Sequence, residues 1–372
     1  MQPFELRGSG ILLAVPTAED VDRVTAICQD PEVLRWTTLP MPYRREHAEG
    51  FIEDHVPSGW AEERELTWAI RDPADRAVLG LIGLRLPGNG RGEVGFMLAE
   101  EARGRNVMSR ALRLVAEFGF ADEGLQLSHL GWQGFVGNWA SRRVAWATGF
   151  RMEGRIRGGL AQRGERRDVW VATLAAGEPM KPATPWLATP TLSSDRVLLR
   201  RFTRSDADAV VEACNDPETQ HWLGGLPSPY TREIALRYID DREEEAAAGR
   251  GVSWAATLPD GGPAVGSFSL MGLHSHDGGA EVGYWMHPAA RGNGLATTAV
   301  RMLARHAFTP EEHGGLGLRR LVVAHVSGND ASRKVIERAG FTPCGVERAG
   351  DRIRGGTIVD LHWYDLLSDD MR

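Results

Sequence analysis

In the second half of the chain the apolar positions change period often enough to mark elements one by one. Arg196-Val197-Leu198-Leu199-Arg200-Arg201-Phe202 alternates as a half-buried strand does. Thr203-Arg204-Ser205-Asp206 then offers N-cap residues for an amphipathic helix running to about Cys214. Residues 232–247, rich in glutamate and alanine and preceded by Thr231 as a cap, predict a second helix. Apolar runs at 253–257, 265–271 and 281–286 predict three strands, followed by a glycine turn and a helix to about Phe308. Residues 318–326 read as a buried strand, 331–339 as a short helix and 358–366 as a last strand. A mixed sheet with helices on both faces is the economical way to bury these runs, which gives an α/β class of the α+β mixed-sheet kind.

The first half repeats this plan about 190 residues earlier. Cys28-Gln29-Asp30-Pro31-Glu32 is matched by Cys214-Asn215-Asp216-Pro217-Glu218, Trp36 by Trp222, and Pro42-Tyr43 by Pro229-Tyr230. Thr67-Trp68-Ala69 matches Ser253-Trp254-Ala255, and Glu93-Val94-Gly95-Phe96 matches Glu281-Val282-Gly283-Tyr284. Asn138-Trp139-Ala140-Ser141 with Gly149-Phe150 matches Asn329-Asp330-Ala331-Ser332 with Gly340-Phe341. A period of this length means duplicated domains, not a solenoid. The prolines at 179, 182, 185 and 190 forbid a continuous helix and favour an extended connector. The reading is therefore a domain at 1–178, a linker at 179–192 and a domain at 193–372.

Composition narrows the function classes. With 372 residues, 42% hydrophobic and 25% charged, the chain fills two ordinary cores, and no run approaches the ~18 apolar residues that span a bilayer. The start Met1-Gln2-Pro3-Phe4-Glu5-Leu6-Arg7 lacks the basic and apolar regions of a signal peptide, so a cytoplasmic protein is expected. Cys28, Cys214 and Cys344 are too few and too scattered for a disulfide framework or a zinc site. Cys28 and Cys214 are expected as buried apolar side chains, not nucleophiles. His274, His276 and His287 lack a second ligand pair, and no metal is expected. A net charge of −7 argues against nucleic acid as a partner, so an anionic ligand needs a local site made of backbone N–H groups and a few arginines.

Arg291-Gly292-Asn293-Gly294-Leu295-Ala296 offers such a site: a glycine-rich turn that opens a helix gathers unpaired N–H groups at the positive end of the helix dipole. Together with the strand before it, Glu281-Val282-Gly283-Tyr284-Trp285-Met286, with Pro288 and with Asn329-Asp330-Ala331-Ser332 through Gly340-Phe341, it resembles the GNAT superfamily of acyl-CoA N-acyltransferases. Within that superfamily the likeness is to the RimJ/RimL ribosomal-protein alanine acetyltransferase type, in two tandem copies covering nearly the whole chain.

The resemblance implies that acetyl-CoA is the co-substrate and that an amine attacks its thioester directly. The backbone N–H groups of Asn293, Gly294, Leu295 and Ala296 would cradle the pyrophosphate, Arg291, Gly292 and Thr297 belong with them to the cofactor-binding set, and Trp285, Met286 and His287 would lie along the pantetheine arm as on a sheet edge. Asn329 would bind the pantetheine region and Ser332 would lie near the sulfur. Ser332 is the expected thiolate donor, because Ile336 stands where many members carry a tyrosine. Asp351 and, second, Glu281 are the expected bases for the amine proton. Trp36 and Trp222 border the acceptor site or pack the core. The acceptor is a protein N-terminus, a peptide or a small amine. The sequence leaves open a homodimer, a longer acyl donor and a purely acyl-CoA-binding role.

The first copy of the turn reads Arg103-Gly104-Arg105-Asn106-Val107-Met108, with Asn106 for Gly294, Met108 for Ala296, and Leu160 near the position of Asp351. Bulk at the loop and a missing carboxyl predict a first domain that is silent or weakened, acting as a scaffold or as a wall of the acceptor groove.

Overall fold

A computed structural model describes residues 1–273 and 278–371. The chain divides into two compact units, Met1–Ala183 and Thr184–Arg372. The division falls inside the proline-rich segment, and each end of that segment packs on its own unit. Arg113 Nε donates to Met180 O at 3.5 Å in the first, and Trp254 Nε1 to Pro190 O at 2.7 Å in the second.

In the first unit the order is β1 (Leu6–Gly8), β2 (Ile11–Ala14), α1 (Val21–Gln29), α2 (Pro31–Trp36), α3 (Arg45–Gly50), α4 (Val56–Ala61), β3 (Glu65–Arg71), β4 (Val78–Gly88) and β5 (Arg91–Leu98), then α5 (Val107–Phe120), β6 (His129–Phe135), α6 (Trp139–Ala147), β7 (Arg151–Gln162) and β8 (Glu165–Ala175). The second unit runs β9 (Leu192–Ser193), β10 (Leu198–Arg200), α7 (Ala207–Asn215), α8 (Pro217–Trp222), α9 (Arg232–Ala247), β11 (Gly251–Leu258), β12 (Gly261–Met271) and β13 (Gly279–Met286), then α10 (Leu295–Phe308), β14 (Arg320–Val326), α11 (Asp330–Ala339), β15 (Thr342–Arg352) and β16 (Ile358–Leu367).

Each unit holds one mixed sheet, ordered β1-β2-β3-β4-β5-β6-β8-β7 and β9-β10-β11-β12-β13-β14-β16-β15. Neighbours run antiparallel except at one central joint per sheet, β5 with β6 and β13 with β14. That joint positions the site. β13 and β14 pair only through Gly279↔Arg320, Ala280↔Leu321 and Glu281↔Val322, so β13 from Val282 to Met286 runs on without this neighbour. Two strands that part in mid-sheet leave unpaired backbone groups facing a wedge, and such an edge accepts an extended ligand.

Three elements of the second unit went unpredicted, the two-residue strand β9 among them. α8 is a six-residue helix that Pro217 opens at its first position, with the Asp216 side chain accepting from Thr219 N at 2.9 Å. β15 has no apolar alternation because nearly all of it is exposed; only its pairing with β16 makes it a strand, and Pro343 is tolerated on such an edge. The strand expected over 196–202 is cut to Leu198–Arg200.

The second unit's core joins sheet residues Trp254, Phe268, Val282 and Val323 to Ala299 and Leu303 of α10 and Ile336 of α11. A separate cluster links Val210 and Cys214 of α7 with Tyr230 and with Ala235 and Ile239 of α9. Burial pushes the thiols of Cys28 and Cys214 up to about 11, which suits small core side chains and not nucleophiles.

Candidate functional site

Beyond its parting from β14, β13 runs on to Met286 and ends in a turn. His287 Nδ1 accepts from Ala289 N at 3.3 Å, a short 3-10 turn follows, and Gly292 and Gly294 take φ of +79° and +74°. Gly294 is the N-cap of α10, and no side chain caps that helix, so its first N–H groups look outward. A Cβ at Gly294 would meet Arg196 Nη1 at 3.5 Å, an ordinary contact. The left-handed backbone, not crowding within the fold, is what calls for glycine there.

A cavity of about 410 Å³ opens between this turn and the parted strands. It gathers Trp285, Met286, Arg291, Gly292, Gly294, Leu295, Ala296, Thr297, Asn329 and Ser332 from the expected set. His287 and Asn293 lie beside it in the chain but are not among its described walls; Asn293 O instead accepts from Arg196 Nη2 at 2.5 Å. Asn329 caps α11 through Oδ1, accepting from Ser332 N at 3.0 Å, and this fixes the serine at the wedge.

Three placements differ from what the sequence leads one to expect. Arg291 lines the cavity, but its guanidinium is already engaged: Asp216 Oδ2 and Glu218 Oε2 at 2.7 Å, Thr219 Oγ1 at 2.6 Å and Met286 O at 3.3 Å. It ties α8 to the turn and has little left for a phosphate. Asp216 answers in kind: burial would raise its carboxyl, but the Thr219 N–H and the Arg291 guanidinium hold it below the usual range. Glu281 does not line the cavity, since it sits on the stretch of β13 still paired to β14. Asp351 is also outside it, exposed on β15 opposite Val359, with Oδ1 accepting from Arg352 N at 2.7 Å. Among the described lining residues the one carboxylate is Glu218.

The sequence reading missed Lys334 and Arg338, which line the cavity from α11 at positions four apart and so share a helix face. It also missed Tyr284, whose phenol oxygen lies 2.8 Å from Ser332 Oγ. Burial pushes this phenol up to about 12, against the pull of the Ser332 hydrogen bond. A strand tyrosine one turn of chain from a glycine loop looks like core in the sequence; only the folded wedge brings it to the serine. Among the described residues no group of three side chains suits a metal; His274 and His276 lie outside those residues.

Residues 11–151 and 196–342 each match the family described as acetyltransferase (GNAT) domain. The chain belongs to the GNAT acetyltransferases. YoaA of Bacillus subtilis (strain 168), an uncharacterized N-acetyltransferase, is 28% identical over 180 residues, which is 48% of this chain and 97% of YoaA. YdaF of the same organism, provisionally named a ribosomal N-acetyltransferase, is 32% identical over 177 residues, 47% of this chain and 92% of YdaF. A solved RimL ribosomal α-N-protein acetyltransferase in complex with coenzyme A is 19% identical, covering 49% of this chain and 99% of its own, with a TM-score of 0.44.

The first GNAT copy keeps more of the site than its sequence suggests. Asn106 takes φ of +56°, the left-handed conformation of Gly294, which asparagine tolerates better than most residues. Met108 packs into the core, and a cavity of about 610 Å³ remains at this loop. The backbone course is thus kept, while the side chains of Asn106 and Met108 both line that cavity. What differs is the polar equipment. Phe96 stands at the position of Tyr284 and Ala147 at that of Arg338, and Ser141 Oγ accepts from Trp132 Nε1 at 3.1 Å. The helix staple is lighter too: Arg103 reaches Asp30 at 2.9 Å, while Glu32 turns to Trp36 Nε1 at 3.0 Å.

Proposed function

We propose that the second unit transfers an acetyl group from acetyl-CoA to a primary amine by direct attack, and that the first unit supports it without turnover. The observation that carries this reading is the second unit's cavity, whose walls bring the open N-terminus of α10, the free edge of β13 and the Asn329–Ser332 turn to one place. Pyrophosphate suits the N–H groups of residues 294–297, with Lys334 and Arg338 adding the cations that Arg291 does not supply. The pantetheine amides suit the edge of β13 beyond Glu281, where that strand has parted from β14. Ser332 then stands where it can donate to the departing sulfur.

An α-amine with an ordinary pKa near 8 exists partly as free base at neutral pH, so its proton can pass to water at the open cavity mouth. Neither Asp351 nor Glu281 is required inside the cavity for that step. Trp222 and Glu218 of α8 line the same cavity, and a protein or peptide N-terminus is the acceptor class this reading favours. The second observation concerns the first unit: with its larger cavity intact but Phe96 in place of the phenol, it is suited to binding acyl-CoA without consuming it.

The test is CoA release by the full chain with acetyl-CoA and a panel of amines that includes peptides with free N-terminal alanine and serine. Release with one or more amines, lost in the Gly294→Trp chain, supports the reading. Binding of acetyl-CoA with no release from any amine would favour a binding module.

A further inference from the structure

Ser332 cannot be considered alone, because a second hydroxyl sits against it. The Tyr284 oxygen lies 2.8 Å from Ser332 Oγ, a contact in which either hydroxyl can donate, and 3.3 Å from Ser332 O, a longer-range acceptor that competes for the same phenol proton; both side chains line the cavity. A serine hydroxyl has one proton and two lone pairs. If the phenol gives its proton to Ser332 Oγ, the serine proton is free to point into the cavity, where the sulfur is expected. Asn329 Oδ1 holds the serine's own N–H at 3.0 Å, so the helix start, and with it the serine, is fixed on this axis.

The first unit shows the same arrangement without a transferable proton. There Trp132 Nε1 donates to Ser141 Oγ at 3.1 Å, and Phe96 replaces the tyrosine. An indole N–H fixes a hydroxyl by hydrogen bonding, but it is not a usable acid. The position on α11 where the family resemblance expects a tyrosine is Ile336, fully buried in the core and unable to help.

We infer that Tyr284 is the proton source behind Ser332: a phenol on β13, acting through the serine, supplies the proton that the departing CoA thiolate takes up. This rests on the proposed function of the second unit. In the step, the amine nitrogen forms a bond to the thioester carbon, the C–S bond breaks and its electron pair goes to sulfur. Sulfur takes the Ser332 proton, the serine oxygen takes the phenol proton, and the phenolate recovers one from water. The amine nitrogen gives its surplus proton to water, so none is gained or lost overall. Burial pushes the phenol up to about 12, so it stays protonated over the whole range in which amines become free bases. Tyr284 is thus a positioning and proton-supplying residue, while Ser332 touches the sulfur.

The test does not depend on knowing the acceptor. A donor aimed at sulfur stabilises bound thiolate, so CoA should bind increasingly better than desulfo-CoA, which lacks the thiol, as pH rises from about 7 to about 9.5. Calorimetry on the full chain is expected to show that affinity ratio rising about fivefold, as a downward shift of one pKa unit in the bound thiol would produce. The Gly294→Trp chain supplies the first unit's share as a blank. In Tyr284→Phe the rise should fall below about twofold while desulfo-CoA affinity stays unchanged, and 3-fluorotyrosine at 284 should restore it. Phenylalanine occurs at the equivalent position 96, so this variant is expected to fold. An undiminished rise in Tyr284→Phe overturns the relay. A flat ratio in the unaltered chain does so too, leaving the acyl-CoA site standing. No CoA binding at the second unit removes both the relay and the function beneath it.

Discussion

At the same point of the same strand the first unit carries Phe96 and the second Tyr284, and the two cavities differ around that one oxygen. Both units keep the sheet order, the parted central strands, the left-handed residue before the long helix and the asparagine that caps the next one. These features hold the fold together whether or not chemistry follows: a cap satisfies N–H groups, and a left-handed residue lets the chain turn into a helix. What separates the copies is the polar set facing the cavity. Tyr284, Arg338 and the two-carboxylate grip on Arg291 occur in the second; Phe96, Ala147 and a single carboxylate on Arg103 occur in the first. A duplicated fold can thus keep a cavity at the same place while the polar side chains that face it diverge.

The largest expected effect is at the loop. Gly294→Trp places a bulky side chain on a left-handed backbone at the proposed pyrophosphate site, and should weaken acetyl-CoA binding at the second unit at least about 100-fold, roughly 3 kcal/mol. Asn106→Gly keeps the first loop's conformation and should leave both that affinity and CoA release within about twofold. Equal damage from the two changes, read by calorimetry and thiol release, would erase the distinction between the copies.

Next comes the serine pair. Ser332→Ala should lower kcat about 100-fold with little change in KM for acetyl-CoA, the range of a lost general acid. Ser141→Ala should leave turnover within about twofold on the same scale. A comparable loss from Ser141→Ala would mean that the first unit also turns over.

The staple on α8 has a smaller, structural effect. Asp216→Asn keeps the helix cap but removes the charge facing Arg291, and should cost the second unit about 1 kcal/mol of stability near neutral pH. The carboxyl of Asp216 is held below its ordinary value in the fold, so its contribution is present above the unfolded pKa of about 4 and disappears as pH falls through the folded value. The difference between Asp216→Asn and the unaltered chain in denaturant melts should therefore close below about pH 4. Asp30 in the first unit is held down in the same direction by Arg103 and backbone donors against its burial, and its replacement gives the matching control.

The smallest effect is expected at Asp351. Exposed on β15 and outside the cavity, its change to asparagine should alter kcat less than about threefold and leave the pH profile in place. A loss near 100-fold would bring the base back to that strand.

The sequence by itself determined the duplication, the mixed-sheet class, the helix and strand sites with strong periodicity, the loop at residues 291–296 and the Asn329 to Ser332 turn. These are local signals: period, caps, glycine and proline act over a few residues, so order along the chain reveals them. The edge strand β15 was invisible because an exposed strand has no apolar alternation to read, and α8 because its Pro217 start and six-residue length resemble a turn. Tertiary structure alone decided which side chains meet across the wedge. It took Arg291 out of the phosphate set by giving it Asp216 and Glu218, 75 and 73 residues away in the chain. It put Glu281 on a still-paired stretch and Asp351 on an outer edge. It brought the Tyr284 phenol to Ser332 across 48 residues. Such meetings depend on where β13 and β14 stop pairing, a property of the whole sheet that no local run of residues encodes.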